Sequence, residues 1–391
     1  MTMAADKQDK VLNVPTLRFP EFNGEWVKYR VSDVLDFYST NSLSWDQLEY
    51  NTDELQNLHY GLIHVGLPTV VNLDENVLPN IKKEFLPKNY ELCREGDVAF
   101  ADASEDTNEV AKAIEFVNLS DKNVVCGLHT IHGRDNHNLT SIGFKGYSFA
   151  SESFHNQIRR IAQGTKIFSI SSKNFNECYM GIPSKDEQTK IAKLLALIDE
   201  RISTQSRIID KLQSLMKGLA EHLTAFTPNT KIADCLNCHS SILQENQVKN
   251  EGKYKVYGAN GICGYSDSPA ILEDTILIVK DGSGVGNVSY ASGEYSVIGT
   301  SNYLTAKSGY SLKYLYFCLM IFNFVPYRTG MAIPHIYFKD YGKALIPCPS
   351  LNKQEQIATL LSKIECKIET EKTITESYLQ QKRFLLKSMF I

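Results

Sequence analysis

The sequence predicts an α+β protein built by internal duplication, with two strand-rich globular domains and two long helices. The chain has 391 residues, of which 43% are hydrophobic and 22% are charged, which is typical of a folded protein with more than one domain. One segment is repeated further along the chain, and each copy ends in a stretch with the apolar spacing of a helix. These observations predict a first globular domain at 1–182, a central helix at 183–226, a second globular domain at 227–348 and a C-terminal helix at 349–391.

The repeat aligns Gly164–Thr204 with Gly330–Thr370 without a gap. Both copies have a glycine, a proline and a glutamine ahead of the helix, and the helices share their apolar positions. The matching pairs include Gly164/Gly330, Pro183/Pro349, Gln188/Gln354, Ile191/Ile357, Leu195/Leu361, Ile198/Ile364 and Ile202/Ile368. Convergence of two amphipathic helices would not also reproduce the glycine and the proline, so the pattern indicates a duplication.

Each copy is predicted to end in a helix of about 38 residues and about 57 Å, over Asp186–Leu223 and Asn352–Met389. In the first helix, apolar side chains fall on three- and four-residue steps, which predicts a seam against another helix. The seam residues are Leu195, Ile198, Ile202, Ile209, Leu212, Met216, Leu219 and Leu223. The second helix keeps Leu361, Ile364 and Ile368 before the spacing weakens. We expect the two helices to pair with each other; a coiled-coil homodimer is the alternative.

Short apolar runs between glycine-rich turns predict the strands of the globular domains. In the first domain the expected elements are a short segment at Trp26–Leu35 and strands at Gly61–Leu73 and Gly96–Ala101. In the second domain they are strands at Asp274–Lys280, Gly286–Ala291 and Glu294–Ile298, and a helix at Tyr310–Phe324. Weak echoes of sequence between the two domains, such as Asp33-Val34-Leu35 with Asp234-Cys235-Leu236, suggest that the globular parts diverged more than the helices did.

Two local motifs suggest a bound cofactor, but each has a simpler interpretation. The glycines of Gly282–Gly286 follow a predicted strand, as in a dinucleotide or S-adenosylmethionine loop. Such a loop opens a helix, whereas this sequence continues as a strand and predicts a hairpin. Cys235, Cys238 and His239 have the spacing of a haem-attachment site or half of a zinc site, but no second Cys-x-x-Cys motif accompanies them. We interpret this spacing as coincidence.

An acidic cluster formed by Asp97, Asp102, Glu105 and Asp106 has the density of carboxylates that can bind Mg²⁺. The accompanying sequence of a nuclease is absent, and a solvated acidic loop is the expected structure. The sequence also has no Walker A motif and no Asn/Asp-Pro-Pro-aromatic motif of an amino-methyltransferase. We therefore predict no catalytic residue, no metal site and no cofactor bound by this chain.

The net charge of −4 conceals an uneven distribution. Residues 31–121 contain 18 acidic and 5 basic residues, a balance of −13, so the rest of the chain carries +9. Basic and amide side chains on loops are the groups that contact phosphates and base edges. The predicted DNA contacts are His132, Arg134 and Lys145 in the first domain and Lys280, Ser283 and Asn287 in the second. Lys166 and Lys339, near the joints between the globular domains and the long helices, are expected to meet phosphate.

The polar segment Met1–Lys10 has no apolar core of a signal peptide, and the nine cysteines suggest reduced thiols. We therefore expect a soluble, cytoplasmic protein.

The organisation of the chain resembles that of the DNA-specificity (S) subunit of type I restriction–modification systems. Two sets of residues carry the resemblance. The first is Leu17-Arg18-Phe19-Pro20-Glu21-Phe22 with Trp26, followed by Gly164, Ile182-Pro183-Ser184, Glu187-Gln188 and Ile191. The second is Gly330, Ile346-Pro347-Cys348-Pro349, Gln354 and Ile357.

The resemblance implies a non-catalytic subunit in which two target-recognition domains are separated by two antiparallel helices about a pseudo-two-fold axis. Each domain would read one half of a bipartite double-stranded DNA sequence, and the helices would set the gap between the halves. The helices would also bind two methyltransferase (M) subunits, which supply S-adenosylmethionine, and restriction (R) subunits would add ATP- and Mg²⁺-dependent cleavage.

Two other functions stay open from the residues themselves. One is a structural coiled-coil adaptor without DNA specificity. The other is an enzyme that uses the loop Gly282–Gly286. Protection of two short DNA tracts with a fixed gap would distinguish the specificity subunit from the adaptor.

Overall fold

The computed structural model describes residues 13–52 and 54–391, and within them the chain forms two compact units. Unit 1 contains the described residues up to Gln205 together with Ile374–Ile391, and unit 2 is Ser206–Thr373. The segment Met1–Lys10, on which the expected location depends, lies outside the described residues. In the part of the chain that is described, no helix combines the length and the apolar character needed to cross a membrane.

Unit 1 contains two larger sheets and two short two-stranded ones. Its strands are β1 (Val27–Arg30), β2 (Asp36–Tyr38), β3 (Leu48–Glu49), β4 (Gln56–Leu58), β5 (Val70–Asn72), β6 (Asn80–Ile81), β7 (Val98–Ala101), β8 (Ala103–Ser104), β9 (Ala113–Asn118), β10 (Val124–Cys126), β11 (Thr130–Arg134), β12 (Phe168–Ser169) and β13 (Tyr179–Ile182). Its helices are α1 (Val31–Val34), α2 (Tyr60–His64), α3 (Phe144–Phe149), α4 (Glu152–Ile161) and the first part of α5 (Lys185–Leu223). The larger sheet has the order β2-β11-β7-β9-β5 and the smaller one β10-β4-β6-β3. Since β5 is parallel to β9 and β10 is parallel to β4 while the other neighbours are antiparallel, both sheets are mixed, and the α+β fold class predicted from the sequence is confirmed.

Unit 2 has a simpler arrangement of strands. Its strands are β14 (Thr230–Lys231), β15 (Leu236–Ser240), β16 (Tyr254–Gly258), β17 (Gly261–Ser266), β18 (Thr275–Val279), β19 (Val288–Ala291), β20 (Tyr295–Val297), β21 (Ser301–Ala306) and β22 (Leu345–Ile346). Its helices are α6 (Ile232–Cys235), α7 (Leu312–Met320), α8 (Phe338–Tyr341) and the first part of α9 (Leu351–Ser388). One sheet has the order β15-β21-β18-β19 and a second has the order β17-β16-β20. Helix α7 packs its aromatic side chains against the first of these sheets.

The order of the central strands shows that the duplication extends into the globular parts. In unit 1 the order β2-β11-β7-β9 is antiparallel throughout, and unit 2 repeats it as β15-β21-β18-β19. The weak sequence echo is part of this match, because Asp33 lies in the short helix before β2 and Asp234 in the short helix before β15. Unit 1 then adds β5 to this sheet, and its second sheet has four strands where that of unit 2 has three. The domains are therefore related but carry different surfaces.

The long helices pack together within each unit. In unit 1, Leu195 and Ile198 at the beginning of α5 share a core with Leu385 and Met389 at the end of α9. In unit 2 the arrangement is reversed, because the end of α5 packs against the beginning of α9, where Leu361 is fully buried. This reversed contact confirms the predicted pairing of the two helices and the antiparallel arrangement that the resemblance implies. Of the predicted seam, Leu195, Ile198, Leu361 and Ile368 are buried, and Ile202, Ile209, Leu212, Met216 and Ile364 are half-buried.

The repeated glycine and glutamine have the same structural role in both units. Gly164 and Gly330 adopt positive φ angles of 136° and 87°, and a Cβ atom on either would overlap the carbonyl oxygen of the third residue along the chain. Gln188 accepts a hydrogen bond from the Ser141 amide (2.7 Å), and Gln354 accepts one from the Ser311 amide (3.0 Å). Each glutamine thereby links the start of a long helix to the segment before a domain helix. This explains why the glutamines persist in both copies.

The N-terminal motif is bound to the start of α5. The guanidinium of Arg18 makes two hydrogen bonds of 2.7 Å to the carboxylate of Glu187, which is 1% exposed. The indole of Trp26 donates to the same carboxylate at 3.3 Å. Beside it, the Leu17 amide donates to the Ser388 carbonyl at the end of α9. The motif therefore closes unit 1 around both helices.

Two predicted elements differ from the structure. The range Gly61–Leu73 is not one strand, because it begins inside α2 and only Val70–Asn72 is extended. The ring of His59 accepts from the Gly61 amide and so caps this helix, an effect that the apolar run does not reveal. Helix α7 is shorter than predicted, since the hydroxyl of Ser311 caps its first turn and the aromatic residues after Met320 leave the helix.

Candidate nucleic-acid interface

The glycine-rich segment of unit 2 forms the turn of a hairpin. Strands β18 and β19 are antiparallel, and the turn closes through hydrogen bonds from the Gly286 amide to Val279 and from the Asn287 amide to Gly284, both 2.9 Å. Gly282 and Gly286 have φ angles of 95° and 89°, which only glycine adopts readily. No helix follows the turn, so the hairpin that the sequence predicts is confirmed.

A second loop, residues 328–337, holds this turn in place. The Gly282 amide donates to Pro334 and the Ile336 amide donates to Lys280, both at 3.0 Å. The ring of His335 pairs with the Asp281 carboxylate at 2.7 Å. Because these bonds fix both loops, their outward side chains occupy defined positions. We call residues 280–287 together with 328–339 the loop surface of unit 2.

The predicted contact residues of the second domain lie together on this loop surface. Ser283 and Asn287 are exposed, and Lys280 is half-exposed. Lys339 is exposed in α8, where its ammonium lies 5.3 Å from the centre of the Tyr337 ring. The surface thus combines ammonium, hydroxyl and amide groups with an exposed aromatic ring. Such a set can bind phosphate and base edges.

The predicted contact residues of the first domain are placed differently. His132 is fully buried and Arg134 is 5% exposed. Both bind the buried carboxylate of Asp97: His132 through Nε2 at 2.7 Å, and Arg134 through two hydrogen bonds of 2.8 and 2.9 Å. Burial alone would raise the pKa of Asp97, but these hydrogen bonds outweigh it and lower the pKa. Arg134 also pairs with Glu91 at 2.6 Å.

Lys145 is likewise occupied inside unit 1. It is 2% exposed, and its ammonium lies 3.0 Å from the carboxylate of Glu115 and 2.9 Å from the Thr140 hydroxyl. Burial raises the pKa of Glu115, and the charge of Lys145 partly offsets this effect. DNA contact by His132, Arg134 and Lys145 stays a prediction, and in this structure their side chains organise the domain. Arg134 and Lys145 lie outside the acidic segment 31–121, and their charges neutralise two of its carboxylates, Asp97 and Glu115.

A polar cleft of about 600 Å³ opens on unit 1 beside this network. Its walls are the segments 39–43 and 85–91 and the chain from β10 into β11. At one side, His129 pairs with Asp102 at 3.1 Å and meets the ring of Tyr60 at 5.2 Å. Tyr90 lines the cleft and is 50% exposed. Sequence reasoning missed Tyr60 and Tyr90, since no local pattern distinguishes them from core aromatics.

Other sequence candidates are dispersed. Lys166 is exposed beside Gly164 and shares no described contact with the cleft residues. The acidic cluster is divided, because Asp97 is buried against Arg134 whereas Asp102 pairs with His129 at the surface.

The Cys-x-x-Cys-His segment does not form a ligand set either. Cys235 ends α6 and is buried, whereas His239 lies on β15 and stacks on Tyr303 with ring centres 4.9 Å apart.

Comparisons with known proteins agree with this architecture. Residues 230–377 match the family model described as the type I restriction modification DNA specificity domain. A curated relative from Mycoplasma genitalium, named as a type I specificity subunit, is 29% identical over 197 residues, which cover 45% of this chain and 50% of the relative. The matched region thus spans about half the length of that relative.

Two solved structures have a similar fold. The crystal structure of a type I restriction–modification S subunit from M. genitalium superposes with a TM-score of 0.59 and 18% identity, covering 97% of this chain and 99% of that chain. A chain from a structural study of complex assembly and conformational transition of the type I R-M system gives a TM-score of 0.54 and 15% identity, covering 92% and 96%.

Proposed function

Because residues 230–377 match the family model of the type I restriction modification DNA specificity domain and the fold is similar to that of a solved S subunit, we propose that this protein is the sequence-recognition subunit of such a complex. Each unit reads one half of a bipartite double-stranded DNA target. The observation that carries the proposal is that two units with the same central strand order carry different loop surfaces. A duplicated scaffold with divergent surfaces suits the reading of two different half-sites.

In unit 2 the DNA-reading elements are the two anchored loops. Lys280 and Lys339 contact phosphate, while Ser283 and Asn287 offer donors and acceptors to base edges. In unit 1 the polar cleft and its rim, with Tyr90 and His129, have the corresponding role. The predicted phosphate contact by Lys166 belongs to the same proposal.

The chain itself is non-catalytic in this proposal, as specificity subunits are in general. The exposed sides of α5 and α9 dock two methyltransferase subunits, on which S-adenosylmethionine binds. Restriction subunits with ATP and Mg²⁺ join that complex. Apolar side chains such as Leu197 on α5 and Leu360 on α9, 50% and 46% exposed, are suited to such docking because they lie outside the seam.

The decisive experiment is methylome sequencing of a host that carries this chain with its partner subunits. We expect methylated adenines in one bipartite motif with a fixed gap. Replacing Ser283 and Asn287 by alanine should alter one half of the motif and leave the other unchanged. Uniform, sequence-independent DNA binding would contradict the proposal and favour the coiled-coil adaptor.

The helices offer a second test, of the gap. Inserting seven residues after Gln205 and seven after Thr373, the two places where the units divide the helices, lengthens both helices by about 10 Å. With about 3.4 Å per base pair, we expect the gap to grow by about three base pairs while both half-sites persist. A changed half-site sequence would contradict this division of roles.

A further inference from the structure

Unit 1 contains a buried group of two cysteines and one histidine that the proposed function does not use. Cys93, Cys126 and His132 are 6%, 1% and 0% exposed, and one potential ligand atom of each lies within 4.8 Å of the other two. They come from three separate segments, namely the loop before β7, the end of β10 and the middle of β11. The fold thus brings together three side chains that are not neighbours in the sequence.

The separation of the sulfur atoms fits a shared metal ion. The Sγ atoms of Cys93 and Cys126 are 3.6 Å apart. Two thiolates bound at about 2.3 Å to a tetrahedral Zn²⁺ ion would be about 3.8 Å apart. A disulfide would require about 2.05 Å, so the present distance is closer to that of a metal site.

The histidine provides an independent observation. Its Nε2 is bound to Asp97 at 2.7 Å, while its Nδ1 is buried and has no hydrogen-bond partner among residues 13–52 and 54–391. A buried ring nitrogen without a partner is costly. In metal sites the second ring nitrogen of a ligating histidine is commonly held by a carboxylate, which is the role that Asp97 has here.

The surrounding charges would also suit a divalent ion. Asp97 is balanced by the guanidinium of Arg134, bound through two oxygens. Two thiolates would then balance the two charges of Zn²⁺. Thiolate and imidazole ligands select Zn²⁺ over Mg²⁺ or Ca²⁺. The site is reachable, because Cys126 lines the polar cleft.

We propose that Cys93, Cys126 and His132 bind one Zn²⁺ ion, with both cysteines as thiolates and His132 coordinating through Nδ1. Binding releases the two thiol protons to solvent. A water molecule from the cleft supplies the fourth ligand. The ion ties together the three segments that meet beside the cleft. This proposal does not depend on DNA recognition, and it replaces the expectation from sequence that the chain binds no metal.

The test is the zinc content of the full chain, purified under reducing conditions without chelators and measured by mass spectrometry of the element. We expect about one zinc per chain. Cys126→Ser should lower this at least fivefold. Cys178→Ser is the matched control, because Cys178 is equally buried but lies outside the group, and it should keep the full zinc content.

A second measurement avoids any dependence on the folding of the variant. Wild-type protein stripped of zinc and mixed with Co²⁺ should develop a thiolate-to-cobalt charge-transfer band that saturates at one equivalent. The proposal is overturned if wild-type protein holds no zinc and gives no such band. It is also overturned if Cys126→Ser retains the zinc, or if peptide mapping finds Cys93 joined to Cys126 in a disulfide.

Discussion

Removal of the Arg18 side chain should destabilise unit 1 strongly. In Arg18→Ala, the 1% exposed carboxylate of Glu187 loses both of its 2.7 Å hydrogen bonds and keeps only the 3.3 Å contact with Trp26. Breaking a buried ion pair from one side costs about 3–5 kcal/mol. Two effects reduce this cost. Glu187 lies in the first turn of α5, where the helix dipole stabilises its negative charge by about 0.5 kcal/mol. The side chain of Arg18 is 14% exposed, so water partly solvates the carboxylate once the guanidinium is removed. We therefore expect a loss of about 3 kcal/mol.

The assay is urea unfolding followed by tryptophan fluorescence. The chain has 2 tryptophans, and both Trp26 and Trp45 lie in unit 1, so the signal reports that unit alone. With a slope of about 3 kcal/mol per molar urea, the midpoint should fall by about 1 M. Arg159→Ala is the control, because the hydrogen bonds of this exposed arginine go to the side chains of Asn108 and Asn156, and its midpoint should stay nearly unchanged.

A double variant separates the charge from the packing. In Arg18→Ala with Glu187→Gln no unpaired charge is left in the interior, so we expect the double variant to be more stable than Arg18→Ala by at least about 1 kcal/mol. If Arg18→Ala moves the midpoint by less than 0.3 M (about 1 kcal/mol at the same slope), or if Glu187→Gln makes it worse, the reasoning is refuted. Packing of the N-terminal motif rather than the ion pair would then hold the segment.

Three further predictions follow from features of both units. Gly330→Ala should destabilise unit 2 more than Gly309→Ala does, as measured by urea unfolding followed by circular dichroism. Both glycines have φ near 88°, but a Cβ atom would meet a carbonyl oxygen at Gly330 and open space at Gly309. Equal losses of stability would contradict this prediction. Burial, with a smaller effect of a nearby arginine, lowers the pKa of His155 below its usual 6.5, so the unfolded chain binds the proton more readily and the free energy of unfolding should fall as the pH drops through 6.5. His155→Gln should flatten that pH dependence, and an unchanged slope would exclude His155 as its source. Lys280→Ala, measured in complex with the partner subunits, should weaken binding to all DNA sequences alike and reduce the salt slope by about one, whereas a change of preferred sequence would assign Lys280 to a base.

The long helices and the duplication could be predicted because their signals are local. The seam of Leu195 and Ile198 is defined by steps of three and four residues, and the turn at Gly282 is marked by its own glycines. The spacing of Cys235, Cys238 and His239 matches a haem or zinc motif, but we interpret it as coincidence, so local spacing alone does not define a ligand set. The signals are therefore reliable for periodic elements and weak for ligand sets.

The burial of His132 and Arg134 could not be predicted in the same way. It depends on Asp97, which lies more than thirty residues away in sequence and meets them only when β11 pairs with β7. Before that pairing is known, a histidine and an arginine in a polar run look like surface residues. The approach of Cys93 to Cys126 has the same origin, since only the fold brings their segments together.

The contribution of α9 to unit 1 has a consequence for biosynthesis. Met389 and Phe390 belong to the core of that unit, where Phe390 meets Trp26 with ring centres 6.4 Å apart, and a side chain at Gly181 would collide with Ile391. Domains usually fold in the order in which the ribosome makes them. Unit 1 is translated first, but its core is complete only after residues Ile374–Ile391 have been made, which follow the whole of unit 2. A nascent chain that stops before Ile374 therefore leaves the core of its first unit incomplete.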